Sequence, residues 1–303
     1  IRKVNDQTLN PIFRYIEAAY IASDNDSDRQ VISRLIDQIN GKGYALTHGI
    51  HSRIDETVNH ICNRIEAGNV YVNRNIVGAV VGVQPFGGHG LSGTGPKAGG
   101  PFYLQRLCRL NGWVQPELTK IGEADEAALK RIEAVLHTLP LNQQEKLAAA
   151  AALGQARFRT LRNAEAVLPG PTGERNAASW RAPKRVWLYG GSLAASFDAL
   201  AQLAASGITA VVSDQHPLAA YSGQLDGLLE VSATPASSAI SHVAALEPLP
   251  AELKQALAES GGALIRILPS ENGLDILQVF EEISCSINTT AAGGNASLMA
   301  MGD

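Results

Sequence analysis

The chain has 303 residues, of which 45% are hydrophobic and 18% are charged, and its formal net charge at pH 7 is −4. This composition is typical of a water-soluble globular protein and leaves room for two domains. It gives no general reason to expect binding to nucleic acid or to an anionic membrane, and no apolar run reaches the ~18 residues that span a bilayer.

The first residue is Ile rather than Met, and no signal peptide opens the chain. We therefore expect a segment of a longer cytoplasmic protein. Three cysteines, Cys62, Cys108 and Cys285, lack the spacing of a zinc site or of a disulfide framework, which fits a reducing compartment. We expect no metal site, and we expect packing rather than chemistry from Cys62 and Cys108.

The first part of the chain alternates between helical and extended patterns. Apolar residues recur at helical spacing in residues 11–22, 31–40 and 55–66, with a turn and helix caps at 24–28. Residues 44–50 and 69–73 are predicted strands. Alternation of this kind predicts an α/β domain.

A glycine-rich loop follows at residues 84–101, with seven glycines and three prolines in eighteen residues. This density excludes a helix or a central strand, yet the flanking residues 76–83 and 102–107 are apolar enough for burial. The pattern predicts backbone that runs close to a ligand or to another strand, with a tight structural crossing as the alternative. Residues 102–110 are predicted to leave the loop as a short extended segment.

The rest of the chain changes character twice. Residues 123–136 and 141–161 have helical patterns, and we assign residues 111–180 to a helical connector that ends near the break at 169–173. Strand 185–189, a glycine turn, a helix through Ala205 and strand 208–212 then form a βαβ unit. Another strand is predicted at 263–268, and residues 181–282 are assigned to a Rossmann-like domain.

The glycine turn of this βαβ unit, residues 190–196, lacks the G-x-G-x-x-G fingerprint. A unit that binds no cofactor is therefore favoured, although a nucleotide on the helix N-terminus stays an alternative. Asp214 stands where a ribose-binding carboxylate would lie, but a turn residue is the favoured interpretation. At the end of the chain, residues 283–288 alternate like an edge strand. Residues 289–301 are small and uncharged, which favours a docking tail (283–303) over a free terminus.

Two stretches resemble the aldehyde dehydrogenase superfamily: Glu66-Ala-Gly-Asn-Val-Tyr-Val-Asn73 and the glycine-rich loop from Gln84 to Gly100. The continuation Gly-Thr-Gly-Pro-Lys-Ala-Gly-Gly-Pro looks like the glutamate-γ-semialdehyde (Δ1-pyrroline-5-carboxylate) dehydrogenase branch. The terminal stretch from Ser286 to Leu298 is similar to that of long proline utilization A proteins. These bacterial bifunctional enzymes join an FAD-dependent proline dehydrogenase to an NAD-dependent aldehyde dehydrogenase.

The resemblance implies an α/β chain that is the C-terminal portion of such a protein. Residues 1–110 would end the aldehyde dehydrogenase catalytic domain, with 1–30 unassigned, and the connector, the Rossmann-like C-terminal domain and the tail would follow. The resemblance also implies that Gly90, Leu91 and Ser92 anchor the substrate carboxylate through main-chain N–H groups and the serine hydroxyl. An anion-binding turn fits that role, while a turn needed only for packing is the alternative.

The nucleophile motif of the family, a cysteine in a Gly-Gln-Arg-Cys-like context, is absent from the chain. We therefore expect no catalytic residue here and an inactive isolated chain, with NAD bound mainly by upstream parts and FAD in the proline dehydrogenase domain. The expected partners are glutamate γ-semialdehyde and the upstream domains of the same protein. No nucleic acid is expected, and a homo-oligomer and membrane association of the whole protein stay open. The competing hypotheses are a non-catalytic interaction module and, more weakly, a nucleotide-binding unit at residues 184–214.

Overall fold

The computed structural model of the protein describes residues 26–80, 83–108, 113–234 and 240–290. The predicted helix at residues 11–22 and most of the predicted tail lie outside these ranges. The α-helices within them are α1 (Asp26–Asn40), α2 (Asp55–Arg64), α3 (Tyr103–Leu107), α4 (Glu126–Leu136), α5 (Gln143–Arg159), α6 (Leu193–Ala205) and α7 (Ala251–Glu259). The strands are β1 (Tyr44–Ala45), β2 (Thr47–Ile50), β3 (Asn69–Val72), β4 (His89–Gly90), β5 (Glu165–Leu168), β6 (Glu174–Arg181), β7 (Arg185–Tyr189), β8 (Thr209–Val212), β9 (Leu229–Val231), β10 (His242–Ala245), β11 (Arg266–Pro269) and β12 (Glu281–Asn288).

The first five-stranded sheet has the order β2-β3-β12-β6-β5, and β2, β3 and β12 run parallel. The prediction of an edge strand at residues 283–288 is wrong, because β12 has a neighbour on each side. The alternating polarity of β12 does not mark an edge strand, and the reason is physical. The buried side chains of β12 are polar ones, Glu282, Ser284 and Ser286, so alternation here does not mark an exposed face.

Helices α1 and α2 supply the apolar layer on this sheet, as their helical spacing predicted. Their buried residues and those of the neighbouring strands form one core cluster, consisting of Ile32, Ile36, Ile50, Val58, Ile65, Ala67, Val70 and Val72. Helix α1 begins at Asp26, so its first residues lie where a turn was predicted. Short acidic and polar residues favour both turns and helix starts, so composition alone does not separate the two.

The predicted strand at residues 44–50 is divided into two short strands with different partners. β2 pairs in parallel with β3, whereas β1 pairs antiparallel with β4 in a separate two-stranded ribbon, with Tyr44 opposite Gly90. The ribbon therefore joins the beginning of the chain's α/β region to the glycine-rich loop.

The second five-stranded sheet is parallel throughout and has the order β11-β10-β7-β8-β9. The chain starts in the middle at β7, proceeds outward to β9, and returns to the other side with β10 and β11. This is the doubly wound arrangement of a Rossmann-like sheet, with the reversal of strand order between β7 and β10. The predicted Rossmann-like fold is confirmed.

Residues 111–180 are not wholly helical. Helices α4 and α5 form as predicted, and α5 begins with a capping box in which Asn142 and Glu145 exchange side-chain and main-chain hydrogen bonds. Strands β5 and β6 also lie in this stretch, and neither was predicted from the sequence. The predicted extended segment at residues 102–110 is wrong too, because α3 occupies Tyr103–Leu107. Leu104 and Leu107 are exposed, so the apolar run there does not mark burial.

Two compact units emerge from the contacts within the chain. One is formed by the described parts of Ile1–Gly99, Leu168–Ala177 and Ile283–Asp303, and the other by the described parts of Gly100–Val167 and Ala178–Glu282. These units interleave along the chain, and the domain boundaries expected from the sequence stay predictions. Within the described ranges, no helix has the length and apolar character needed to cross a bilayer.

Candidate substrate-anchoring site

The glycine-rich loop is held against β3 by the side chain of Asn69, which is completely buried. The Asn69 amide donates to the carbonyl oxygen of Pro85 at 2.9 Å, and its oxygen accepts from the N–H of Gly87 at 3.1 Å. The same oxygen accepts from the ammonium group of Lys97 at 3.1 Å. One asparagine therefore connects the strand to both arms of the loop, since Pro85 and Gly87 lie in the first arm and Lys97 in the second.

Two glycines in this region are required because other backbone lies against them. A Cβ atom on Gly68 would lie 2.0 Å from the carbonyl oxygen of Gly87, and one on Gly88 would lie 2.6 Å from Ser92. Both distances are far below van der Waals contact, so a side chain would force the loop to move. The glycine content thus reflects close backbone approach, as the sequence predicted.

Gly90, Leu91 and Ser92 lie at the turn that leaves β4. Gly90 has a φ of 52°, in the left-handed region that favours glycine. The N–H of Leu91 donates to the carbonyl oxygen of Gly43 at 2.9 Å, and the N–H of Ser92 donates to that of His89 at 2.8 Å. The turn therefore exists in the structure, but the main-chain donors of Leu91 and Ser92 are engaged within the protein.

The side chain of Ser92 differs from these main-chain donors, because its contact within the protein is as an acceptor. Its hydroxyl oxygen accepts a hydrogen bond from the N–H of Ala45 in β1 at 3.2 Å. A serine hydroxyl has one proton to donate besides its acceptor positions, so this contact fixes the oxygen and leaves the O–H as a donor. Ser92 is half-buried, and Gly90 and Leu91 beside it are exposed, so a small molecule can approach this donor.

A network of polar side chains next to the glycine-rich loop was not predicted from the sequence. Arg74 donates to the carboxylate of Glu174 at 2.7 Å and to the hydroxyl of Ser286 at 2.8 Å, and buried Gln84 donates to the same carboxylate at 2.7 Å. These residues come from four separate parts of the chain, so no local sequence pattern predicts that they meet. The network ties the start of the glycine-rich loop to β6 and β12.

The side chain of Glu247 lies against the glycine turn of the Rossmann-like sheet. Gly190 and Gly191 both have positive φ values, 65° and 89°. A Cβ on Gly190 would lie 2.1 Å from Cγ of Glu247, and the N–H of Gly191 donates to the Glu247 carboxylate at 3.4 Å. An acidic side chain of the protein thus lies where this fold would place a phosphate. Asp214 is an exposed turn residue after β8.

His216 lies beside the same turn, and the cleft at the carboxyl ends of β7 and β8 has a volume of about 680 Å³. The Nε2 atom of His216 lies 3.1 Å from the carbonyl oxygen of Gly190, and the Nδ1 atom of His216 accepts from the N–H of Leu218 at 3.2 Å. Burial lowers the pKa of His216, while the Gly190 carbonyl and the charge of Glu247 oppose that shift. The neutral imidazole of His216 therefore stabilises the turn through its contact with the carbonyl oxygen of Gly190.

Residues 29–111 match the aldehyde dehydrogenase family. This part of the chain is similar to an aldehyde dehydrogenase domain. Over 90% of its length the chain is 37% identical to the bifunctional protein PutA of Rhizobium meliloti, of which it covers 23%. Over 27% of its length it is 43% identical to 1-pyrroline-5-carboxylate dehydrogenase of Oceanobacillus iheyensis, of which it covers 16%.

The fold agrees with these similarities. A solved structure of proline utilization A from Corynebacterium freiburgense aligns with 84% of the chain at a TM-score of 0.58, with 22% identity and 24% of that protein covered. The chain spans less than a quarter of the length of the PutA relatives that it matches. The resemblances to the aldehyde dehydrogenases and to the proline utilization A proteins are confirmed.

Proposed function

We propose that the chain is the C-terminal portion of a bifunctional proline-catabolic enzyme. Its aldehyde dehydrogenase module would oxidise L-glutamate γ-semialdehyde to glutamate with NAD, and a proline dehydrogenase module with FAD would precede it. The similarities to PutA and to 1-pyrroline-5-carboxylate dehydrogenase support this assignment. The chain contributes substrate binding rather than bond-making, because the nucleophile motif of the family is absent from its sequence.

The contact between Ser92 and Ala45 carries the proposal for the site. Because the hydroxyl oxygen accepts from Ala45, the O–H can donate to a carboxylate oxygen of the substrate. Such a charge-assisted bond is stronger than a neutral one. The proposed role of Gly90 and Leu91 is to shape the turn and leave it open to the substrate. Since the N–H groups of Leu91 and Ser92 donate internally, the serine hydroxyl is the principal donor in this proposal.

Anchoring the carboxylate would act on the reaction through position. The carboxylate lies at the far end of the substrate from the aldehyde carbon, so it does not take part in bond-making. Holding it fixes the aldehyde relative to the nucleophile and to NAD, both of which the upstream part of the protein would supply. Positioning of this kind can remove several kcal/mol of the activation barrier.

We infer that the Rossmann-like domain binds no dinucleotide. The carboxylate of Glu247 faces Gly190 and Gly191 and would repel a pyrophosphate at the turn. We infer that this domain is architectural and that, with the tail, it covers the path of the intermediate between the two active sites. Deletion of Thr289–Asp303, most of which lies outside the described residues, should then weaken coupling of the two reactions or destabilise the enzyme.

The proposed activity is tested with the complete natural polypeptide. We expect NAD-dependent oxidation of glutamate γ-semialdehyde with a kcat/KM at least ~10-fold above that for pentanal, which has a similar length but lacks both the carboxylate and the α-amino group. Equal values would contradict carboxylate anchoring. The absence of any aldehyde oxidation, with NAD and a folded protein, would contradict the assignment as a whole.

The second candidate is a non-catalytic interaction module, favoured by the missing nucleophile motif. Native mass spectrometry separates the two. A species near the 32.0 kDa of this chain supports a free module, and a much larger polypeptide supports the bifunctional enzyme.

A further inference from the structure

The parallel sheet carries a cleft at the carboxyl ends of its inner strands. Its volume of about 680 Å³ lies within the ~300–1,000 Å³ range of small-molecule sites in proteins. The segments that follow β7, β8 and β10 contribute Gly190, His216 and Glu247 to its lining. The strand order reverses between β7 and β10, and open α/β sheets bind their ligands at such a reversal. Position and volume therefore indicate a site for a small molecule.

One wall of the cleft is apolar. Leu253, Ala256 and Leu257 lie on α7 at positions i, i+3 and i+4, so they share one face of the helix. Trp187 and Tyr189 lie two positions apart on β7, so both point to the same face of the sheet. Trp187 and Leu257 are buried in the core between sheet and helix, whereas Tyr189 and Leu253 are only partly buried. A ligand in the cleft therefore meets an apolar and partly aromatic surface.

The charge of the cleft comes from Glu247. Among the described residues that line the cleft, it is the only one with a charged side chain. Its carboxylate accepts from the N–H of Gly191 at the long distance of 3.4 Å, and no lysine or arginine in the described ranges forms an ion pair with it. The imidazole of His216 does not offset this charge, because the ring is neutral and contacts Gly190 and Leu218 through its two nitrogens. The described lining of the cleft is therefore negatively charged.

The glycine turn gives the Glu247 side chain a defined place at the cleft. A Cβ atom on Gly190 would lie 2.1 Å from Cγ, 2.2 Å from Cδ and 2.5 Å from Oε1 of Glu247. The glutamate thus occupies the space that any side chain at position 190 would need. An ion pair with a carboxylate that is already positioned loses little conformational freedom when it forms.

We propose that the cleft binds a small organic amine, whose ammonium group pairs with Glu247 and whose apolar body lies on Tyr189, Leu253 and Leu257. The ammonium and the carboxylate form a charge-assisted hydrogen bond, which is stronger than a neutral one. Glu247 repels a carboxylate or phosphate ligand of the same size, and a neutral ligand lacks the ion pair. The cleft lies outside residues 29–111, which match the aldehyde dehydrogenase family, so this proposal does not rest on the proposed function.

Two indole compounds test the preference for an amine on the natural full-length protein. Tryptamine carries an ammonium group, and tryptophol has a hydroxyl group in its place. Titrations followed by saturation-transfer difference NMR measure both Kd values. We expect a Kd of about 1 mM for tryptamine, an ordinary affinity for a ligand of that size, and a Kd about 3- to 10-fold higher for tryptophol. Equal Kd values, or no saturation transfer to tryptamine at about ten times the expected Kd, would overturn the proposal.

Variants assign the binding to the cleft. Glu247→Gln removes the charge of an exposed side chain and should weaken tryptamine binding by about 3- to 10-fold while the Kd of tryptophol stays unchanged. Ala256→Trp fills the cleft and should weaken the binding of both compounds. Glu259→Gln is the matched control, because Glu259 is an exposed glutamate of α7 that does not line the cleft.

The control variant should leave both Kd values unchanged. An unchanged Kd of tryptamine in Glu247→Gln would contradict the ion pair, and unchanged binding in Ala256→Trp would place the compound elsewhere on the protein. Either result overturns the proposal. Circular dichroism verifies that each variant is folded, and if Ala256→Trp does not fold, the comparison of Glu247→Gln with Glu259→Gln decides the matter.

Discussion

The hydroxyl oxygen of Ser92 accepts a hydrogen bond from the main-chain N–H of Ala45, a residue 47 positions earlier in the chain. This contact links the turn after β4 to β1, which already pairs with β4 through Tyr44 and Gly90. The side chain thus has a defined orientation before any substrate binds. Preorganisation of this kind lets a single donor act strongly, because little conformational freedom is lost on binding.

Ser92→Ala is expected to lower kcat/KM for glutamate γ-semialdehyde by about 10- to 100-fold, which is what the loss of one hydrogen bond to a charged group costs. KM should rise more than kcat falls, because the carboxylate does not react. Steady-state kinetics of the full-length enzyme measure both values, with pentanal as the comparison substrate. Activity toward pentanal should hardly change.

Two further variants separate binding from structure. Ser92→Thr keeps a hydroxyl and should restore most of the lost kcat/KM. Ser52→Ala removes a comparable hydroxyl that accepts from the N–H of Ile54 at 3.1 Å at the start of α2. It should lower stability and leave KM unchanged. A rise in KM of equal size in Ser52→Ala would show that the effect of Ser92 is not specific to the substrate.

Asn69→Ala is expected to destabilise the protein by about 2–4 kcal/mol, because Pro85, Gly87 and Lys97 lose a partner in a buried place. The apparent melting temperature, followed by circular dichroism, measures the effect. Asn40→Ala is the matched control, since Asn40 also bridges two main-chain groups but on the surface, at Arg64 and Glu66. It should cost about 1 kcal/mol or less. Equal losses would contradict the role given to Asn69.

Gly88→Ala and Gly154→Ala should have opposite effects. A methyl group on Gly88 would clash with Ser92, so we expect a loss of about 1–3 kcal/mol together with a lower kcat/KM for the semialdehyde. Gly154 lies within α5 with open space around its Cα. Alanine there should stabilise by about 1 kcal/mol through helix propensity alone. Thermal unfolding of the two variants tests the assignment, and a neutral Gly88→Ala would contradict the close approach.

The buried imidazole of His242 should make the folded protein less stable in acid. Burial, followed by the nearby charge of Arg266, lowers its pKa from 6.5 to about 3, and Glu281 opposes this only in part. The imidazole accepts from Arg266 at 3.1 Å and contacts the hydroxyl of Ser241 at 2.7 Å, which suits the neutral ring. Because the folded pKa lies below the unfolded one, the contribution to stability is complete above pH ~6.5 and is lost progressively as the pH falls toward 3.

Between pH ~6.5 and pH 3, the free energy of unfolding should fall by on the order of 4 kcal/mol because of His242 alone. His242→Asn should flatten the dependence of melting temperature on pH between 4 and 7, even if the variant is less stable at neutral pH. The exposed residue His137 provides the control, and His137→Asn should leave the slope unchanged. An unchanged slope in His242→Asn would contradict the assignment.

Local pattern was enough to predict α2, α4 and α5, the βαβ unit and the glycine-rich loop, because each depends on residues near in sequence. Helical spacing, helix caps and glycine density act within a few residues. The sequence did not predict β5 and β6, nor the interior place of β12, because strand pairing joins distant segments and leaves no periodic signal. Polar side chains that are buried, as on β12, even reverse the usual meaning of alternation.

The same division holds for the candidate site. The sequence by itself determined that a glycine-rich turn with Gly90, Leu91 and Ser92 exists, and a family resemblance attached a role to it. Only the tertiary structure decided that Asn69 holds the loop, that Ala45 orients Ser92, and that the N–H groups of Leu91 and Ser92 are engaged. Hydrogen bonds and contacts between residues far apart in the chain exist only once the sheet has fixed its strand order and register.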